Sequence, residues 1–598
     1  MKIEGLLLAG ATLFGSLALS QQAGTPAAID APRAPAEASG FVQTAVVDLV
    51  SFEVSVTDAH GPVLGLTASD FRVLHDGKQV ELSNFSCYGR AGESRAPAMT
   101  GEPSKPDVAS AEAPVVAERP GLSLNFYVDN ANLSTATRGP VLDAAIDFVR
   151  TRVGPGDRVA VTTHVGGPKI VQGLTGDREL AVSALRRLRD EPGGWSITNV
   201  ERLRVTANLR ITAAILRQVI VTGRPSAVAQ AAAIAQGALD EVRTFEQTER
   251  VATRDATRGL RAILTAMSAM PGRKVLVYVS DGLAGTPGQA VYRAFEDYFR
   301  EFPAARSQVN DARMAMTGEG SEQKVFDDVV VSAAAAGVTL FTIDARGLVA
   351  PGDAESAGGP SATWSRDVRN YQEPLQKIAA ETGGSAFVNG GDFKAGLERF
   401  SRELDSYYLV GYPLPRGGRS AVHTVGVELV NRKGCRLDYR RRFVEKSLPA
   451  LIEDRVLAAL SFDAAENLLG IAASAGAWKK GASKTRELPV RISVPIGKLA
   501  LLPEGDEMVG KATAYYVTRG PDGKQSALLK AEHRVAVPKG EYESARGKTW
   551  PITATLVVKP GNYRISVAVR DALTGTAGYA TLDVPEDSSS GGNGARVR

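Results

Sequence analysis

Two apolar stretches that each run into a carboxylate limit what this chain can fold into. Leu122-Ser123-Leu124-Asn125-Phe126-Tyr127-Val128-Asp129 and Val275-Leu276-Val277-Tyr278-Val279-Ser280-Asp281 read as buried strands, and Gly337 to Ala345 repeats the pattern. Near-continuous apolar runs of this length belong to parallel strands covered on both faces. Ligands of open α/β sheets sit at the carboxyl ends of the strands, so the two acids stand where function is expected. After Asp129 come the small oxygen-bearing residues Asn130, Asn132, Ser134 and Thr135. A helix is then expected to open near Gly139-Pro140, since proline at a first helical turn forfeits no hydrogen bond.

Helical and strand patterns alternate from Gly121 to about Leu404, which predicts a parallel sheet with helices on both faces. Arg158 to His164 is a second strand of this region, and Lys169 to Gln172 reads as an antiparallel edge. Gly193-Gly194 opens a hydroxyl-rich loop. Val200 to Met270, rich in Ala, Arg and Gln, reads as two or three helices. Flanking this region, 41–90 and 406–446 alternate apolar and polar residues like strands of one β-sandwich module, with the Asp76-Gly77 turn as a hairpin signal. Residues 447–486 read as a connector and 487–585 as a C-terminal β-sandwich with turns such as Pro521-Asp522-Gly523. The fold class expected is therefore α/β plus all-β. Residues 21–40, 91–120 and 586–598 carry no periodic apolar pattern and read as a disordered leader, linker and tail.

Residues 1–20 read as a secretory signal peptide: Lys2, an apolar run from Leu6 to Leu19, and small residues before Gln21. The mature chain is expected to be exported, periplasmic or extracellular, with no integral membrane segment. A net charge of +4 over 598 residues, with Lys and Arg dispersed, leaves no nucleic-acid footprint. The run Arg440-Arg441-Arg442 reads as a solvated strand edge. By count alone, Cys87 and Cys435 read as buried free thiols. Sharing one module in an oxidising compartment brings a disulfide level with that reading, and such a bridge would contribute about 4–5 kcal/mol.

The region 121–405 resembles a von Willebrand factor A domain, through Phe126-Tyr127-Val128-Asp129 with its amide and hydroxyl loop and through Ser280-Asp281-Gly282. Val54 to Asp58, Gly65-Leu66-Thr67, Asp70-Phe71, Ala379 to Gly384 and Tyr407 to Tyr412 extend the resemblance to a bacterial VWFA-related (acidobacterial) domain family. The resemblance implies a Rossmann-like sheet with an octahedral Mg²⁺ site at its carboxyl edge, open to a partner's carboxylate. The first loop of such domains reads Asp-x-Ser-x-Ser. Here Ala131 and Leu133 take the two serine positions, and Asn132 and Ser134 are each displaced by one. The metal set carried over is Asp129, Asn132, Ser134, Thr198 and Asp281, a degenerate form of the site; the alternative is a metal-free A fold in which Asp129 and Asp281 cap helix N-termini or satisfy loop amides.

No His-Glu-x-x-His, Gly-x-Ser-x-Gly or Cys-x-x-Cys occurs. Of five histidines, His164 alone lies in the α/β region, where it reads as loop-facing and solvated. The expectation is a non-enzymatic, adhesion-type protein that binds a protein partner at the sheet's carboxyl edge. The alternatives are a metal-dependent hydrolase using the same crevice and a purely structural envelope protein. The oligomeric state is left open.

Overall fold

The computed structural model describes residues 47–89, 120–191, 197–221, 225–316, 322–347, 361–415, 420–430, 432–462, 467–482 and 485–586. The expected signal peptide, leader and Gly193-Gly194 loop lie outside them, as does all of the linker but Pro120 and all of the tail but Glu586.

In chain order, β1 (Val47–Asp58), β2 (Gly61–Pro62), β3 (Phe71–His75), β4 (Lys78–Val80) and β5 (Asn84–Tyr88) come first. The α/β region follows: β6 (Leu122–Val128), α1 (Thr135–Arg152), β7 (Arg158–His164), β8 (Pro168–Thr175), α2 (Arg178–Asp190), α3 (Ile197–Val221), α4 (Pro225–Met267) and β9 (Arg273–Ser280). It continues with α5 (Gln289–Phe299), α6 (Arg306–Met316), α7 (Gln323–Ala336), β10 (Val338–Asp344), α8 (Ser361–Glu381), β11 (Ala386–Phe387) and α9 (Phe393–Asp405).

The central sheet has the order β11-β10-β9-β6-β7-β8. All its pairings are parallel except the edge strand β8, which runs antiparallel to β7. Alternation along the strands sorts side chains to two faces. Leu124, Phe126, Val128, Val275, Val277 and Val279 share one core with α1, α2 and α9. Tyr127, Leu276 and Tyr278 face the other way into a core with α4, α7 and α8. Residues 200–270 resolve into two helices, the second of 43 residues. The far half of α4 leaves the sheet and forms a separate core with α3, α5 and α6.

Helix α1 starts earlier than its sequence suggests. Ser134 caps it, its hydroxyl accepting from Thr137 N at 3.2 Å, so Pro140 lies inside the helix rather than at its first turn. The cap and the Asp281 contacts described below fix the start.

Around this region, β12 (Tyr407–Pro415), β13 (Ala421–Leu429), β14 (Arg436–Tyr439) and β15 (Arg442–Glu445) return to the first strands. One sheet runs β14-β1-β12-β5 and another β15-β13-β3-β4, and residues of both enclose one core. Tyr408 ties the halves together: its hydroxyl accepts from Leu66 N at 3.0 Å and donates to Val63 O at 2.9 Å. Cys87 is buried in this core and Cys435 packs at its margin, but both are free thiols. The disulfide expectation is thus corrected: one module holds both residues without bonding them.

The basic run is corrected too. Arg440 is mostly buried and, with Arg273, flanks Glu53 at 3.8 Å. Arg442 reaches Asp327 and Glu381. These cations join the β module to the α/β region instead of lining a solvated edge.

Helix α10 (Leu448–Ala459) leads, among the described residues, to nine more strands, arranged in two sheets over a shared core. Strand pairing starts at Ala472–Ala475, inside the expected connector. Ala-Ala-Ser-Ala offers too little apolar contrast to reveal a strand. No described helix is long and apolar enough to cross a membrane.

Candidate functional site at the carboxyl edge of the central sheet

Strands β6 and β9 are parallel neighbours, with Val128 opposite Val279, so the residues that follow them emerge at the same rim. Asp129 N donates to Val279 O at 2.9 Å, and Asp281 N donates to Asn132 O at 3.1 Å. The two acids are therefore joined through one loop.

Asp129 is fully buried. Its Oδ2 accepts from the Tyr278 hydroxyl (2.5 Å), Asn132 Nδ2 (2.8 Å) and the Ser280 hydroxyl (3.2 Å). Its Oδ1 has no hydrogen-bond partner among protein atoms. Burial raises the Asp129 carboxyl above the usual carboxylate range, against the pull of these donors. The Asp281 carboxylate accepts from Ser134 N and from the Thr137 hydroxyl, both at 2.9 Å. Burial outweighs those bonds and pushes its pKa up to about 6.

Thr198, on the first turn of α3, completes the set. It lines a cleft with Asn132 and Asp281, roofed by Glu249 and Thr253 of α4 and closed by Tyr371 of α8. The cleft measures about 30 Å³, room for a water or two. Glu249 is buried and holds Gly288 N and the Tyr371 hydroxyl, each at 2.6 Å. Burial raises its pKa as well. Gly282 is required here: its φ is +109°, and a Cβ would lie 2.7 Å from Tyr371 Cβ. The long helical insert thus covers the sheet's carboxyl edge.

All five residues read from the sequence converge on this rim, but most of their polar groups already serve one another. Ser134 caps a helix, Asn132 donates to Asp129, and both Asp281 oxygens are engaged. Leu133, at one serine position of the resembling motif, is fully buried in the apolar core beneath the loop. The five do not fit an octahedral cage to which each contributes an oxygen. Among the described residues of this loop, Asp129 Oδ1 and, next in the chain, Asn130 Oδ1 are buried without protein partners. Arg138, also buried, donates to Glu191 O at 2.7 Å while its Nε and Nη2 remain without partners.

Sequence reasoning missed Tyr278 and Ser280, whose period-two spacing places both beside Asp129. It also missed Glu249, which nothing in a long polar helix distinguishes. His164 is corrected: it is 2% exposed, its Nδ1 3.2 Å from the Tyr127 hydroxyl and its Nε2 3.0 Å from Asp255 Oδ2. Helix α4 packs over it, so it fixes that helix to the sheet and does not face solvent.

No protein-family model matches the chain, and no curated protein matches it. Among solved structures, an aerotolerance-related membrane protein from Bacteroides fragilis aligns over 48% of this chain and 98% of its own, at 10% identity and a TM-score of 0.21. A pilus adhesin, SpaC, from Lactobacillus rhamnosus GG aligns over 84% of this chain and 58% of its own, at 7% identity and a TM-score of 0.21.

Proposed function

We propose that this chain is an exported, non-enzymatic interaction protein of von Willebrand A type, whose partner, a protein, docks beside the carboxyl edge of the central sheet. The observation that carries the reading is the apolar face of α3. The helix starts at the rim with Thr198 and then turns Val200, Leu203, Ile211 and Ile215 outward, between 42% and 58% exposed. Their spacing of three, eight and four residues keeps them on one side of the helix. A contiguous exposed apolar stripe on a soluble domain marks an interaction surface.

The cleft size argues against the hydrolase alternative. Substrate pockets run to roughly 300–1,000 Å³, an order of magnitude above the space at this rim. His164, the base such an enzyme would need, is committed to Tyr127 and Asp255.

A second reading has one observation behind it. Asp129 Oδ1 and Asn130 Oδ1 are hard oxygen acceptors without protein partners, the donor type that Mg²⁺ takes. A cation held at Asp129 Oδ1 would have its coordination completed by water, and would serve recognition.

The test is recovery of partners from an envelope extract with wild type, Leu203→Glu/Ile211→Glu and Asp129→Asn, each with Mg²⁺ and with EDTA. A partner lost with the α3 variant alone supports the apolar surface. A partner lost also with Asp129→Asn and with EDTA supports the cation reading. If all three proteins recover the same partners, or none, neither reading stands.

A further inference from the structure

We infer that the N-terminal β module carries a transition-metal site, away from the carboxyl edge, built from His75, Asp76 and His423. Their ligand atoms lie within 4.8 Å of one another. The site follows from strand register. His75 ends β3 opposite Val425 of β13, and His423 lies two residues back on β13, on the same face. Both imidazoles therefore stand at the open end of the module's core. Their rings are 4.6 Å apart between centroids.

Between β3 and β4, the chain turns at Asp76 and Gly77 with φ of +47° and +76°, the left-handed pair of a tight hairpin. For aspartate this backbone is uncommon, and it turns the carboxylate back towards β13. Asp76 Oδ1 accepts from Thr424 N (2.8 Å) and the Thr424 hydroxyl (3.1 Å). Oδ2 is left facing the two rings, 2.8 Å from His423 Nδ1 and 3.7 Å from His75 Nε2. Bonds of about 2.0–2.1 Å in a tetrahedron separate ligand atoms by roughly 3.3 Å, and the two distances bracket that value.

The outer nitrogens make the stronger argument. His75 Nδ1 lies 2.8 Å from the Tyr412 hydroxyl, and His423 Nε2 lies 3.4 Å from Glu445 Oε2. An imidazole bound to a metal through one nitrogen donates from the other to a carboxylate or similar acceptor, which fixes its tautomer and ring orientation. Both histidines meet that condition, and the inner nitrogen of each faces the Asp76 carboxylate. A simple clamp on the hairpin would need only the His423–Asp76 contact and gives no role to the second ring beside it.

Two imidazoles and one carboxylate suit Zn²⁺ or a similar borderline cation rather than Mg²⁺ or Ca²⁺. Three protein ligands leave a fourth position to water. Asp76 is 49% exposed on its side chain, so an ion can enter from solvent. Since the whole α/β region lies between His75 and His423 in the chain, the ion would join the two chain segments that make the module.

The test is calorimetric titration of EDTA-treated full-length protein with Zn²⁺, with Co²⁺ absorption as a geometric probe. Expected are one ion per chain, a tetrahedral-type Co²⁺ band and a Zn²⁺-dependent rise in Tm. His75→Gln/His423→Gln should abolish all three, and Glu445→Gln should weaken binding about 10- to 100-fold. The wild-type titration needs no variant to fold: absence of stoichiometric Zn²⁺ binding overturns the proposal. Binding that the double variant retains, with its circular dichroism unchanged, places the ion elsewhere and overturns it too.

Discussion

The phenol of Tyr278 donates to Oδ2 of Asp129 from the middle of the central sheet, at 2.5 Å. Both side chains are buried, so neither can exchange this bond for water. Tyr278→Phe keeps the ring's packing against Tyr127 and removes only the donor. Leaving a buried acceptor without its donor costs roughly 1–3 kcal/mol, and a loss of that size is expected in urea denaturation. An unchanged midpoint would mean that the Asp129 carboxylate does not depend on this bond.

The second prediction concerns pH. Asp281 titrates near 6 in the folded chain against a reference value of 3.8, so the native state holds this proton more tightly than the unfolded state. Its contribution favours folding below about pH 4 and fades as pH rises through 6. The difference corresponds to on the order of 3 kcal/mol. Relative to wild type, Asp281→Asn should therefore gain stability by about that amount between pH 4 and pH 7. Parallel curves for the two proteins would remove the assignment. If saturating Mg²⁺ flattens the wild-type curve, a cation is charge-compensating the rim.

Gly282→Ala tests how closely the rim is shut. The substitution forces a left-handed φ on alanine and drives its Cβ into Tyr371. A cost on the order of 2–3 kcal/mol is expected, together with faster hydrogen exchange in the segment around Tyr371. A neutral substitution would show that α8 can withdraw from the strand end at no cost.

Thiol chemistry checks the cysteines. Without reductant, the unfolded chain should titrate two free thiols. In the native chain, Cys435 should react first, because Cys87 is 1% exposed and burial raises its pKa. Finding no titratable thiol in the unfolded, unreduced protein would restore the bridge.

Much of the α/β region was legible because local pattern and tertiary role coincide there. Val275 to Val279 is apolar because both faces of β9 are covered, and Asp281 ends the run because the strand ends at a rim. Lys169 to Gln172 could be placed as an antiparallel edge from the short turn at Gly166-Gly167-Pro168. Information carried by distant neighbours was not legible. The burial of His164 depends on α4, some ninety residues on. The environment of Arg440 depends on Glu53. Asp76 and His423 meet through strand register, 347 positions apart, and no spacing rule reaches that far. The start of α1 shows the local limit as well: Pro140 looked like an opening residue until the Ser134 cap and the Asp281 carboxylate set the helix's origin five residues upstream.

Strand β1 lies between β12 and β14, which are not complete until the chain has been made past Pro415 and Tyr439 respectively. At synthesis rates of roughly 5–20 residues per second, β1 waits on the order of 20 to 80 s for its neighbours. During that interval Val50, Phe52, Val54 and Val56 form an unsheathed hydrophobic ribbon. A holding chaperone bound to this ribbon, or delay of folding until after translocation, would protect it from pairing with another nascent chain.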